Sequence, residues 1–446
     1  MINFNKIFEN SKENNPSLEF KANYPEFKED LYKCVKCGFC LTACPTYLDT
    51  GLETESPRGR IALMRAVTEE RLPLTNRIID HWALCLQCRA CEAVCPSGVP
   101  FGHMMESTRT AVNISGKQGL TIKLVGLIFL RFLLKNLGIL RVIFKILYIT
   151  QIFKLHKLFQ LKIVSSFLPK QLSITLGNPP IIDRRFFTPT SKTIKPNTPY
   201  PKKKVALLAG CIMPLTHSQT LRACVEVLKI NGCEVMIPEQ QGCCGALNIH
   251  NGELKSGKEM AQKNIESFLQ SEPDAIITAS AGCGSTMKEY KQLLKDDPEL
   301  LDQATLFSNL TKDITEFLIE LPLIKPKGRL NKKVIFQNPC HLLHAQNIHE
   351  EPRKILDLIP GLDIIESIDE NCCGAAGIYS ILQQSSSQRI LEKKLANLLK
   401  ESPDLILTAN PGCMIQIEQG LKSKSSTTQI LHIIELLYQS YITEIN

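Results

Sequence analysis

The chemistry open to this chain starts with two compact cysteine runs. Cys34, Cys37, Cys40 and Cys44 precede Pro45; Cys85, Cys88, Cys91 and Cys95 precede Pro96. Both read C-x2-C-x2-C-x3-C-P. Three closely spaced thiolates on a tight loop turn inward together and can wrap three irons of one cubane [4Fe–4S] cluster. The fourth begins a helical turn and reaches away, and the proline then turns the chain and removes a backbone donor. Two zinc sites would also be satisfied by eight cysteines. Zinc pairs, however, are usually set farther apart than this fused three-plus-one pattern.

The spacing is of the bacterial ferredoxin type, in which the fourth cysteine of each run ligates the other run's cluster. One cluster is therefore expected on Cys34, Cys37, Cys40 and Cys95. The other is expected on Cys85, Cys88, Cys91 and Cys44.

Eight further cysteines recur in two quartets, Cys211, Cys243, Cys244 and Cys283, then Cys340, Cys372, Cys373 and Cys413. The offsets between equivalents are 129, 129 and 130 residues, the mark of a duplication. Each half carries Cys–Cys–Gly, and Gly245 and Gly374 let the backbone turn tightly beside a bulky inorganic group. A helix following each turn would favour an anionic thiolate centre. Either a cluster or zinc suits these quartets. Cys224 and Cys233 lie outside the repeat and read as packing residues. His341 has no counterpart after Cys211 and is left out of the ligand set. His81, Trp82 and His103 also read as packing, while Arg58 and Arg60 suit either a cluster's charge or solvent.

The elements that must position these thiols follow from the apolar pattern. VALLAGC (205–211), AIITASAGC (275–283), VIFQNPC (334–340) and LILTANPGC (405–413) are buried-strand runs closed by a cysteine. Helical stretches lie between them, as in a parallel sheet covered on both faces, with ligands beyond the strands' carboxyl ends. The expected architecture is mixed α+β and α/β: an α-helical two-cluster domain, a helical connector and a duplicated parallel-sheet domain. The boundaries are a polar arm (1–30), the two-cluster domain (31–112), a basic connector with a Pro-rich linker (113–203), and the two repeats (204–325 and 326–446).

Composition narrows the class. The chain has 446 residues, 18 cysteines and a formal charge of +8. The polar N-terminus lacks a secretory apolar core, so a reducing cytoplasm and metal-bound thiols are expected rather than disulfides. Between Lys117 and Lys204 there are 17 Lys/Arg and one acid, Asp183. The basic character thus belongs to the connector, and no nucleic-acid partner is expected. Lys123, Arg131, Lys135, Arg141 and Lys145 share one helical arc beside Leu, Ile, Val and Phe, a pattern that suits packing between domains or peripheral contact with an anionic membrane. No run is long enough to span a bilayer. The chain has no G-x-G-x-x-G, P-loop or hydrolytic triad, so its clusters are expected to relay electrons while substrate oxidation occurs on a partner.

CVKCGFCLTACPTY, SPRGRIALM, CLQCRACEAVCPSGVPFG, LLAGC, EQQGCCGALNIHNGE and NCCGAAGIY together resemble the iron–sulfur subunits of glycolate oxidase (glycolate dehydrogenase). These belong to a wider Cys–Cys–Gly, heterodisulfide-reductase-like group. The resemblance extends from about residue 31 to the end. It implies the electron-transfer subunit of an oxidoreductase complex whose flavin subunits oxidise glycolate to glyoxylate, and often D-lactate. Electrons would pass through two [4Fe–4S] clusters toward a quinone at the cytoplasmic membrane, with no flavin in this chain. Related subunits serve lactate use, anaerobic glycerol-3-phosphate oxidation and heterodisulfide reduction. The last end their repeats in C-x2-C. Here Gly-Ser-Thr follows Cys283 and Met-Ile-Gln follows Cys413, so the fifth thiolate is missing from both halves.

Overall fold

The computed structural model describes residues 26–155, 179–196, 198, 201–367 and 370–443. Most of the expected N-terminal arm, and Lys157, Lys162 and Lys170 of the connector, lie outside the described residues. The chain divides into two compact units. One comprises the described residues up to Arg131 together with Leu247–Ser256; the other comprises Phe132–Ala246 and the described residues from Gly257 onward.

The first unit is helical. Phe27, Leu31, Ile61, Met64, Trp82, Met104 and Met105 are buried in one apolar cluster, against which Cys34, Cys40 and Cys95 pack. The segment SPRGR is built residue by residue. Ser56 caps the helix Pro57–Thr68 by accepting from Gly59 N, and Pro57 takes the first helical position, where no donor is missed. Gly59 passes so close to the backbone that an added Cβ would lie 1.8 Å from Glu53 O. Arg58 turns out to the first cysteine loop, donating to Lys36 O at 3.0 Å. Arg60 turns inward and is fully buried.

The second unit contains both repeats. The first sheet has the order β1-β3-β2-β4-β5: β1 Thr190–Ile194, β2 Lys203–Leu207, β3 Cys233–Ile237, β4 Ala275–Thr278 and β5 Thr311–Asp313. The second has the order β7-β6-β8-β9: β6 Lys332–Phe336, β7 Leu362–Ile365, β8 Leu405–Thr408 and β9 Gln429–His432. Equivalent strands pair in parallel in both, with Val205 opposite Ala275 and Val334 opposite Leu405. One apolar core joins the halves, including Val205, Leu207 and Ile277 from one sheet and Val334, Phe336 and Leu407 from the other. Helix Ser218–Ile230 packs on helix Ile433–Ile442, and helix Ile314–Glu320 on helix Glu350–Asp357.

Three local features differ from the pattern read in the sequence. Part of the Pro-rich linker forms β1, an edge strand antiparallel to β3; an edge has no second neighbour to impose an apolar alternation, so its polar sequence hid it. The connector is broken into helix Leu120–Val125, a π-helical stretch Gly126–Leu133 and helix Leu137–Ile152. After Gly374 no helix begins at once, as one does at Ala246; the next starts at Tyr379.

Candidate metal centres

The two runs fold into matching loops. Lys36 and Gly38 flank Cys37 with φ of +58° and +93°, and Gln87 and Arg89 flank Cys88 with φ of +55° and +61°. This left-handed pair around the middle cysteine is what curls three thiols toward one point. Glycine takes its position freely, whereas Arg89 does so at a conformational cost.

Cys34, Cys37, Cys40 and Cys95 line a single cavity, with Gly38, Phe39, Arg58, Ile61 and Phe101. Cys91 borders it too. The cavity brings the first three thiols of one run to the last thiol of the other. The rim is open: Cys37, Val35 and Phe39 are exposed. Cys44, Cys85, Cys88 and Cys91 form the second group and are all buried. Burial, then the neighbouring charges of Cys88, Glu92, Cys85 and Cys44, push the Cys91 thiol well up. A cationic iron core removes that cost by replacing the protons on crowded thiols. The thiol-lined cradle and the crowded buried group both fit a [4Fe–4S] cluster.

The surroundings of the buried group were not legible from spacing. Arg60 Nη2 pairs with Glu55 Oε2 at 2.7 Å, and Arg60 Nε donates to His81 O at 2.8 Å. His81 Nδ1 lies 2.5 Å from Glu55 Oε1, so His81 serves an ion network while Trp82 beside it packs in the core. Glu106 meets His250 at 2.8 Å, His103 at 3.5 Å and Arg89 at 3.7 Å. Despite burial, those partners hold its carboxyl well below the usual range. Arg109 donates to Cys85 O at 2.6 Å and to His250 O at 2.7 Å. Arg109 stands 24 residues from Cys85, and His250 144 residues from Glu106.

In the repeats, all eight thiols lie beyond the carboxyl ends of strands: Cys211, Cys243, Cys244, Cys372 and Cys373 in loops, Cys340 at the start of the π-helical stretch His341–Ala345, and Cys283 and Cys413 in the first turns of helices Ala281–Lys288 and Pro411–Ser423. Cys243 Sγ is 3.5 Å from Cys211 Sγ, and Cys244 contacts both Cys243 and Cys283. In the second half, Cys340 Sγ lies 4.0 Å from Cys372 Sγ and Cys373 Sγ 3.2 Å from Cys413 Sγ. Hydrogen bonding with Cys243, joined for Cys244 by Cys283, and burial push the Cys211 and Cys244 thiols well up; hydrogen bonding with both, and from Gly245 N, holds Cys243 well down. Among the described residues, no three donors already converge on the geometry of a single ion. Cys224 and Cys233 are buried in the core, apart from both quartets. His341 Nδ1 is 2.9 Å from Ser285 Oγ of the other half. No disulfide joins any of these cysteines.

Comparisons with known proteins follow the same division. Residues 30–99 match the 4Fe-4S dicluster domain family, and residues 205–288 and 334–418 each match the cysteine-rich CCG domain family. The probable glycolate oxidase iron–sulfur subunit of Bacillus subtilis is 36% identical over 439 residues, covering 95% of this chain and 98% of that protein. The chain belongs to the glycolate oxidase iron–sulfur subunit family. Escherichia coli's glycolate oxidase iron–sulfur subunit is 32% identical over 95% of this chain and 97% of its own length. A Bacillus cereus protein, lactate utilization protein A 2, is 32% identical over 52% of this chain and 97% of its own length. A hypothetical protein from Helicobacter pylori shares the fold, with a TM-score of 0.52 at 12% identity, covering 96% of this chain and 77% of that one. As a member of the glycolate oxidase iron–sulfur subunit family, this chain is an iron–sulfur electron-transfer protein with two [4Fe–4S] clusters.

Proposed function

We propose that the chain carries electrons from flavin-containing subunits of a glycolate dehydrogenase complex toward a quinone, with glycolate oxidised on those partners. One cluster is assigned to Cys34, Cys37, Cys40 and Cys95, the other to Cys85, Cys88, Cys91 and Cys44. The observation that carries the reading is the cavity lined by three thiols of the first run and Cys95 of the second. Bound clusters supply one-electron storage. The chain's own residues do the rest: Arg58 pins the exposed loop, the buried apolar cluster excludes water, and Arg60 and Arg109 fix the second group. The eight thiols of the repeats are assigned to a further cluster or to zinc.

No helix among the described residues is long and apolar enough to cross a membrane. Exposed Val142, Ile146, Ile149, Ile152 and Phe153, with Lys145 and Lys154 near them, suit peripheral contact with an anionic bilayer. The similarity to lactate utilization proteins favours a second substrate reading, lactate, within the same 2-hydroxyacid chemistry.

Purification of the native complex tests the proposal. About eight irons and eight acid-labile sulfides per chain from the first eight cysteines, co-purifying flavin and glycolate-dependent quinone reduction are expected. A complex without flavin, or one that oxidises lactate but not glycolate, overturns the glycolate assignment.

A further inference from the structure

Resting on that reading, the two cluster groups differ in more than exposure. Transfer of one electron adds one negative charge to whatever four thiolates hold, and burial disfavours the more charged state. Buried Cys44, Cys85, Cys88 and Cys91 would by themselves give the lower potential of the two. The structure puts a compensating cation there. Arg60 is 1% exposed and donates from Nη1 to Thr46 Oγ1 at 3.0 Å. Thr46 Oγ1 is in turn 3.3 Å from Cys44 Sγ. Glu55 pairs with Arg60 through one carboxylate oxygen, while its other oxygen meets His81. A purely structural arginine would need Glu55 and the His81 carbonyl; the third arm, to Thr46 beside the Cys44 sulfur, is what points at the cluster.

We propose that Arg60, acting through Thr46, is a positioning residue that raises the reduction potential of the centre on Cys44, Cys85, Cys88 and Cys91 relative to the centre on Cys34, Cys37, Cys40 and Cys95. The Thr46 hydroxyl donates to Glu55 O at 2.8 Å, and its oxygen accepts from Arg60, which fixes the guanidinium close to Cys44 Sγ. Arg60 so held brings its positive charge near Cys44 and Cys85 in a site closed to water. Hydrogen bonds to cluster sulfurs and nearby positive charge both favour the reduced state. Gln87 N, 3.4 Å from Cys85 Sγ, adds a backbone donor to the same group.

The test is anaerobic potentiometry of the reconstituted full chain, following each cluster by its electron paramagnetic resonance signal, with iron counted in every sample. Arg60→Met is expected to lower at least tenfold the reduced-to-oxidised ratio of one cluster at fixed potential, about 59 mV. The other cluster should not move. Arg60→Lys should recover part of the shift, and Thr46→Val should give a smaller shift of the same cluster in the same direction. Equal shifts of both clusters, or none at full iron content, overturn the proposal. Should Arg60→Met lose one cluster's iron, Thr46→Val decides: an unmoved potential there overturns it as well. If the unaltered chain binds no cluster, it is the assignment of the cysteines that fails.

Discussion

Asn264 and Lys394 stand at matching places on the long helices of the two Cys–Cys–Gly halves, 130 residues apart, and both are buried. Asn264 accepts from Gly242 N at 2.8 Å and donates to Cys243 O at 3.0 Å, a neutral brace for the first quartet. Lys394 is 1% exposed and its ammonium acts to lower the Cys340 thiol, against the donation to Cys372 and the burial that raise it. The last strands differ in the same way. Asp313 caps helix Ile314–Glu320 in the first half and His432 caps helix Ile433–Ile442 in the second. Duplication preserved the thiols and the strand order, while buried charge diverged around them. The lesson is that identical ligand sets in a repeat do not make identical sites.

The largest effect that can break this comparison is on stability against pH. Burial lowers the pKa of His432 to about 3 from 6.5, with the neighbouring His217 adding to the effect and the hydrogen bond from Nε2 to Ala279 O opposing it. The unfolded chain takes up a proton below about pH 6.5 that the folded one refuses. Stability is therefore lost as pH falls from 6.5 toward 3, by up to about 5 kcal/mol at about 1.36 kcal/mol per unit. Asp313 acts in the opposite sense. Burial raises its pKa from 3.8 to about 6 despite two hydrogen bonds from Thr315 and the nearby Lys288, with Glu316 adding slightly. Stability from this group is lost as pH rises from about 4 to 6, by about 3 kcal/mol. Denaturant titrations across pH 3–7 should show His432→Asn flattening the acid limb and Asp313→Asn the upper one. Equal effects of both variants in the same direction would erase the distinction.

Backbone constraint comes next. An added Cβ at Gly374 (φ +85°) would lie 2.7 Å from Ser387 O, but at Gly245 (φ +80°) 3.2 Å from Gly257 O. Gly374→Ala is expected to cost about 3 kcal/mol and Gly245→Ala about 1–2 kcal/mol, within the range for strained left-handed residues. Thermal melts of the two variants rank them; the reverse order would mean the first turn is the tighter one.

Metal retention gives a smaller effect. Lys394→Met is expected to weaken metal at the second quartet about tenfold or more, as removal of a supporting group does, and leave the first unchanged. Competition with a chelator, read against Asn264→Ala, measures both. Smallest is the link between halves. Asn410, standing where the first half has Ser280, accepts from Gly282 N at 3.3 Å and reaches Cys413 Sγ at 3.4 Å. Asn410→Ser should cost about 1 kcal/mol, the worth of one hydrogen bond, measured by urea unfolding.

Much of this protein was legible before any coordinates. The two cysteine runs and the strands that precede Cys211, Cys283, Cys340 and Cys413 rest on short-range rules, and the duplication shows as repeated landmarks. Loop chirality, apolar periodicity and thiol spacing act over a few residues, so a sequence displays them directly. Tertiary structure alone placed Glu55, Thr46 and His81 around Arg60, built His250 into the first unit beside Glu106, and put charge in the second half at Lys394. A polar residue is free to face water until packing removes the water. Its partner is then chosen by proximity in space, across as many as 144 residues for His250 and Glu106.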